Sequence, residues 1–90
     1  SPYTVSGGKN VILANTNLIN TGDTGFIDVY LPVASGVVNT AITVKNIGTG
    51  TVTIYGAQTG ENIDGRASTT LSSQYESLLL FSDGTEWHII

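Results

Sequence analysis

Ninety residues form one small domain with a thin core, and because the sequence has no cysteine, no disulfide can stabilise it. Seven acidic and three basic residues give a net charge of −4, and the cations lie too far apart to form a phosphate-binding patch, so nucleic acid is not an expected partner. Apolar runs such as Leu78 to Phe81 are too short to span a bilayer, and membrane insertion is not expected either. Burial in an oligomer is the source of stability that remains.

The composition also bears on the context of the chain. Methionine is absent and the sequence opens with Ser1-Pro2, so we expect residues 1–90 to be a single module cut from a longer protein. Only 11% of the residues are charged, while Thr, Ser, Asn and Gly are abundant. Such a surface is more typical of durable extracellular assemblies than of cytosolic enzymes.

Short runs rich in Val, Ile, Thr and Tyr recur between clusters of Gly, Asn and Asp, and helical periodicity is missing. The predicted strands are Asn10 to Ala14, Phe26 to Leu31, Ala41 to Asn46, Thr51 to Tyr55, Thr69 to Ser72, Tyr75 to Phe81 and Glu86 to Ile90. A polar loop is predicted over Asn15 to Gly25. The pattern predicts an all-β fold, a small antiparallel β-sandwich that resembles a jelly roll.

Two hairpins are predicted. Ala41 to Asn46 and Thr51 to Tyr55 are joined by Ile47-Gly48-Thr49-Gly50, whose glycines permit the positive φ of a tight turn. The C-terminal strands are joined at Asp83-Gly84, a strong signal for a type I′ turn.

A two-residue turn at Asp83-Gly84 pairs Leu80 with Trp87 and Leu78 with Ile89, which together form a core face. A three-residue bulged turn would instead slip this register by one.

The opposite face of the C-terminal hairpin carries Leu79, Phe81, His88 and Ile90. Fully burying one large apolar side chain is worth about 1.5 to 3 kcal/mol, so three of them amount to much of the stability of a small domain, about 5 to 15 kcal/mol. We therefore expect Leu79, Phe81 and Ile90 to be covered by a partner subunit or by the Asn15 to Gly25 loop. The alternative is that a second sheet of the same chain covers them.

The ordered series Leu31-Pro32, Ile42 to Gly48, Val52 to Ile54, Glu61 to Gly65 and Ser82 to Ile90 resembles the C-terminal modules of phage tail fibres and tailspikes. The resemblance covers roughly residues 26–90, and residues 1–25 match nothing in it. It implies a homotrimeric β-sandwich at the distal tip of a virion fibre, exposed to polysaccharide or lipopolysaccharide of the host. Because such modules are defined by scaffold positions, the resemblance assigns no ligand-binding residues.

Catalytic chemistry is not expected. His88 is the only histidine and has no serine or cysteine beside it, which argues against a nucleophilic triad. An interface role is favoured, in which protonation near a pKa of about 6.5 would weaken a trimer at mildly acidic pH. The carboxylates of Glu61, Asp64, Asp83 and Glu86 each lie beside a turn, where acidic residues are ordinary, so a hydrolytic pair is not predicted.

Metal binding is not expected either, and no cofactor is predicted. The nearest approach to a calcium loop is Asn15, Asn17, Asn20 and Asp23, which supplies too few acids.

Carbohydrate binding is the chemistry that the residues favour most, because sugars are held by aromatic rings and planar polar side chains. Tyr30 and Tyr55 project from the wetter strand faces and are the favoured aromatic candidates. Arg66 lies in a loop with Glu61 and Asp64, and these three residues are the polar candidates for ligand binding. Arg66 is expected either to bind an anionic sugar or to pair with Asp64 or a neighbouring chain.

Three functions follow from these features. The first is a trimeric tail-fibre or tailspike tip that recognises host polysaccharide. The second is a purely structural trimerisation cap without a ligand, and the third is a carbohydrate-binding module of a secreted enzyme.

Overall fold

The structure, a computed structural model, describes residues 3–5, 9–11, 16–19, 25–57 and 60–90. Within them the chain is all-β apart from a short 3₁₀ helix, Ala34–Gly36. The strands are β1 Tyr3–Val5, β2 Lys9–Val11, β3 Thr16–Ile19, β4 Phe26–Tyr30, β5 Ala41–Asn46, β6 Thr51–Tyr55, β7 Ser68–Leu71, β8 Ser77–Ser82 and β9 Trp87–Ile89. They form a first sheet in the order β1-β3-β5-β8-β9 and a second sheet in the order β2-β4-β6-β7.

Strands β1 to β6 alternate between the two sheets in chain order. Each of the strands β3 to β6 lies parallel to the strand two positions before it, so that β1, β3 and β5 stack in the first sheet and β2, β4 and β6 in the second. This is the strand order of a parallel β-helix, in which successive windings stack. The antiparallel strands β7, β8 and β9 then complete the far edges of both sheets.

The expectation of an antiparallel sandwich is therefore wrong for the pairing of these strands. The hairpin predicted between β5 and β6 is also wrong, because the two strands lie in different sheets. The buried Asn46 side chain holds the connection: it donates to the carbonyls of Gly50 and Leu71 and accepts from the N–H of Gly48. Alternating apolar residues show that one face of a strand is buried, but they do not show which strand lies beside it.

The core lies between the two sheets. Ile27, Val29 and Leu31 are at most 2% exposed, which confirms the face predicted for β4. Trp87 is fully buried, and its indole N–H donates to the carbonyl of Pro32 at 3.1 Å. The other large core side chains are Ile19, Ile42, Val44, Val52, Ile54, Ile63, Leu71 and Leu80.

The polar loop predicted over Asn15 to Gly25 contains a strand instead. β3 pairs in parallel with β5, and its residues Asn17 and Ile19 are buried. The Asn-rich composition concealed this strand, because β-propensity is weaker than the packing that a neighbouring strand supplies. Of the strand predicted over Asn10 to Ala14, residues 12–14 lie outside the described residues.

The C-terminal hairpin is present, but its register differs from the prediction by two residues. Leu80 pairs with Ile89, and Ser82 pairs with Trp87. The Asp83 carboxylate accepts the N–H groups of Thr85 and Glu86 at 2.8 and 2.9 Å, which widens the connection to four residues. A shift of two keeps every side chain on its predicted face, so the division into a core face and an outer face is confirmed.

Candidate functional site

Two tyrosines stack where strands β4 and β6 end. Tyr30 and Tyr55 are register partners in the second sheet. Their ring centroids are 4.8 Å apart and their planes differ by 13°. Neighbouring strands are themselves about 4.8 Å apart, so in-register parallel pairing sets two identical aromatic rings face to face. Ile54 and Val29 point inward beside them, which leaves the rings on the outer surface.

A cavity of about 200 Å³ opens beside the stacked rings. Apart from the tyrosines, its lining comes from the segment that follows β6. The lining residues of that segment are Gly56, Ala57, Gly60, Glu61, Asn62 and Ala67. The residues that line the cavity thus include two aromatic residues, a glutamate and an asparagine, which are residue types that bind sugars.

The wall of the cavity depends on the glycine at position 56. A Cβ atom there would lie 1.9 Å from the carbonyl oxygen of Glu61, far closer than such contacts come. Only glycine lets the end of β6 approach the returning segment this closely.

The Glu61 carboxylate is fixed in place by the backbone. Its Oε1 accepts a hydrogen bond from the N–H of Ala34 at 2.9 Å. This bond ties the cavity to the 3₁₀ helix Ala34–Gly36. An ionised carboxylate has further acceptor sites, so Glu61 can also receive a hydroxyl group of a ligand.

The structure separates the other two predicted binding residues from this cavity. Asp64 and Gly65 both have positive φ, 51° and 78°, and Ile63 and Arg66 exchange backbone hydrogen bonds around them. This is the type I′ turn geometry that the sequence predicted for Asp83-Gly84. Asp64 faces His88, and the described part of the chain shows no ion pair between Arg66 and Asp64. Binding of Arg66 to an anionic sugar or to a neighbouring chain stays a prediction.

His88 lies between two carboxylates on the outer face of the first sheet. Its Nε2 is 2.6 Å from Oδ2 of Asp83, and its Nδ1 is 3.5 Å from Oδ1 of Asp64. Both ring nitrogens thus face carboxylates. The hydrogen bond to Asp83 is the largest cause that raises the pKa of His88 above 6.5.

Asp83 is perturbed in the opposite direction. The backbone N–H of Glu86, the His88 ring and the backbone N–H of Thr85 lower the pKa of Asp83 from 3.8 to about 2. Hydrogen bonds to a carboxylate favour its charged form, which is the physical cause of the shift.

The predicted interface residues share one face of the first sheet. Leu79 is 39% exposed and Ile90 is 67% exposed, while Phe81 is half-buried. The second sheet packs against the opposite face, so the alternative in which it covers these side chains is wrong. Coverage by a partner subunit stays a prediction.

Sequence reasoning missed the cavity lining at Gly56, Gly60, Asn62 and Ala67. The signal that pointed toward it was the glycine-rich segment after β6, since such segments allow close backbone approach. The sequence also gave no indication of the contact between Lys45 and Tyr75, in which Nζ of Lys45 lies 5.7 Å from the centroid of the Tyr75 ring.

Within the described residues, no cluster of three or more His, Asp or Glu side chains is suited to a metal ion. Asn17, one of the four residues of the calcium hypothesis, is buried in β3 and donates to the carbonyl of Thr43. Asn15, Asn20 and Asp23 lie outside the described residues.

No helix in the described part of the chain has the length and apolar character needed to cross a membrane. Comparisons with protein-family models, with curated proteins and with solved structures found no match for the chain.

Proposed function

We propose that this chain is a carbohydrate-binding module at the tip of a phage tail fibre or tailspike, where it attaches the virion to polysaccharide on the host surface. The observation that carries the proposal is the cavity beside the stacked Tyr30 and Tyr55 rings. Aromatic rings support the apolar faces of sugars, and fixed polar groups bond to their hydroxyls. The cavity offers both kinds of group.

Preorganisation of the cavity supports the same conclusion. The two tyrosine rings hold each other, and the Ala34 N–H holds the Glu61 carboxylate. Side chains that are ordered before a ligand arrives lose less conformational entropy on binding. This ordering favours a weakly binding ligand such as a sugar, because its few contacts then have less lost side-chain entropy to offset.

The location on a virion is supported by the sequence resemblance of residues 26–90 and by the low content of charged residues. The strand order adds support of a different kind. A stack of parallel windings suits an elongated fibre, because each winding can rest on the previous one along a single axis.

Binding to host lipopolysaccharide and to a glycan array tests the proposal. We expect the protein to bind at least one glycan, and Tyr30→Ala to lose most of that binding because the ring platform is removed. Arg66→Ala is the control, since Arg66 is exposed and outside the cavity. Melting temperatures of both variants establish that they are folded.

If the unmodified protein bound neither the glycans nor intact host cells, carbohydrate recognition would be contradicted. The alternative of a purely structural trimerisation cap would then be favoured. If Tyr30→Ala bound as well as the unmodified protein, the ligand would have to lie elsewhere on the surface.

A second function, self-association, is favoured by the outer face of the first sheet. There Leu79, Phe81 and Ile90 form an apolar patch, and β5 adds Ala41, the register partner of Phe81. Covering each large side chain would contribute up to about 1.5 to 3 kcal/mol. The resemblance to tail-fibre modules favours a homotrimer as the assembly.

Light scattering over a dilution series measures this assembly. We expect a trimer whose mass falls when Leu79 and Ile90 are both changed to serine. Val33→Ser is the matched control, because Val33 is 44% exposed but lies outside the patch. A monodisperse monomer of the unmodified protein would contradict self-association, and it would agree with a module appended to a secreted enzyme.

A further inference from the structure

The outer face of the second sheet extends the candidate site along the strands. Ile27 and Val29 of β4 point into the core, so Phe26, Asp28 and Tyr30 point outward. Their register partners on β6 are Thr51, Thr53 and Tyr55. The face therefore runs from an aromatic residue at one end of β4 to the stacked tyrosines at the other.

Phe26 is the most exposed large apolar side chain in the described residues, at 80%. It lies four residues from Tyr30 along a strand, a separation of about 13 Å at roughly 3.3 Å per residue. Between the two ends lie the hydroxyl of Thr53 and the carboxylate of Asp28, and the hydroxyl of Thr51 lies beside Phe26. This is a polar strip with an aromatic ring at each end.

The cavity alone is small for a ligand-binding site. Its volume of about 200 Å³ is below the roughly 300 to 1,000 Å³ of typical small-molecule pockets. A ligand confined to it would bury little surface. Useful affinity then requires contacts outside the cavity, and the polar strip is the surface that continues from the tyrosines.

We infer that the ligand is a linear oligosaccharide that runs along β4 and β6 from the Tyr30–Tyr55 cavity to Phe26, which acts as a second aromatic subsite. The inference rests on the proposed carbohydrate-binding function. The sugar faces stack on the two aromatic ends, and the hydroxyls of the sugars between them bond to the threonine hydroxyls and to Asp28.

A glycan array that carries linear glucans, galactans and N-acetylglucosamine oligomers of graded length tests this inference. For at least one of these series, we expect the affinity of the unmodified protein to rise with chain length. Phe26→Ala should remove that rise, lowering affinity for the long oligomers roughly tenfold, and leave binding of the shortest binders unchanged. Tyr30→Ala should lower binding at every length.

Val33→Ala is the control for loss of an exposed apolar side chain, and melting temperatures report folding. An unchanged dependence on length in Phe26→Ala, or equal affinity of the unmodified protein for short and long oligomers, would overturn the elongated site while leaving the carbohydrate-binding function intact. Absence of binding to every glycan by the unmodified protein would overturn both.

Discussion

The wall of the cavity can be disturbed by adding one methyl group. In Gly56→Ala the new Cβ would lie 1.9 Å from the Glu61 carbonyl oxygen, whereas real Cβ atoms essentially never approach within 3.0 Å. Because the opposing atom is backbone, one of the two segments must shift by about 1 Å. Overpacking of this kind usually costs about 1 to 3 kcal/mol of stability.

Thermal and urea unfolding, followed by the fluorescence of the buried Trp87, measure the loss. In a domain of this size about 1 kcal/mol shifts the melting temperature by roughly 4 to 8 °C. We expect Gly56→Ala to lower the melting temperature by at least about 4 °C. Glycan binding should fall with it, because the displaced carbonyl belongs to Glu61.

Gly36→Ala is the matched control, since a Cβ at position 36 has no heavy atom within 4 Å. The stability of this variant should stay the same or rise by up to about 1 kcal/mol, because alanine lowers the conformational entropy of the unfolded chain. Equal melting temperatures for the two variants would refute the close approach of Gly56 to the Glu61 segment.

Two further changes test the supports of the fold. Asn46→Ala removes three buried hydrogen bonds to backbone groups. Because each buried group left unpaired costs about 1 to 3 kcal/mol, we expect urea unfolding to show that the free energy of unfolding falls by about 3 kcal/mol or more. A fall of less than about 1 kcal/mol would contradict this role of Asn46. The His88 and Asp83 pair should give a pH dependence of unfolding. The pKa of His88 is raised in the folded chain, so the contribution of His88 to stability is fully present below pH 6.5 and is lost as the pH rises through the raised value. The pKa of Asp83 is lowered, so its contribution is present above pH 3.8 and is lost as the pH falls toward about 2. The stability difference between the unmodified protein and His88→Gln should therefore be largest between these limits and shrink at pH 9, and a difference that does not vary with pH would contradict the pairing.

The same pair bears on the acid sensitivity expected for a trimer. Protonated His88 is stabilised by Asp83 and Asp64 of its own chain. Within the chain, mild acid therefore strengthens this contact. Whether a trimer weakens at the same pH is measured by its mass between pH 8 and pH 5.

Local patterns in the sequence determined the all-β class, the strands β4, β5 and β6, and the two faces of the C-terminal hairpin. These features depend on alternation with a period of two, which is a property of neighbouring residues and does not require knowledge of partners. The sequence also identified Tyr30, Tyr55 and Glu61 as binding candidates. It could not show which of the candidates line the cavity, since Asp64 and Arg66 are as near to Glu61 in sequence as the lining residues are.

The tertiary structure decided which strands lie together. Parallel pairing of β4 with β6 stacks Tyr30 on Tyr55, and the return of the chain after Gly56 places Glu61 beside them. In parallel pairing, the neighbours come from strands far apart in the chain, so neither turn signals nor alternation encode them. The hairpin register also belongs to the tertiary structure, in which the Asp83 carboxylate accepts two backbone N–H groups in the turn and the backbone of Trp87 bonds to Asn62 and Asp64.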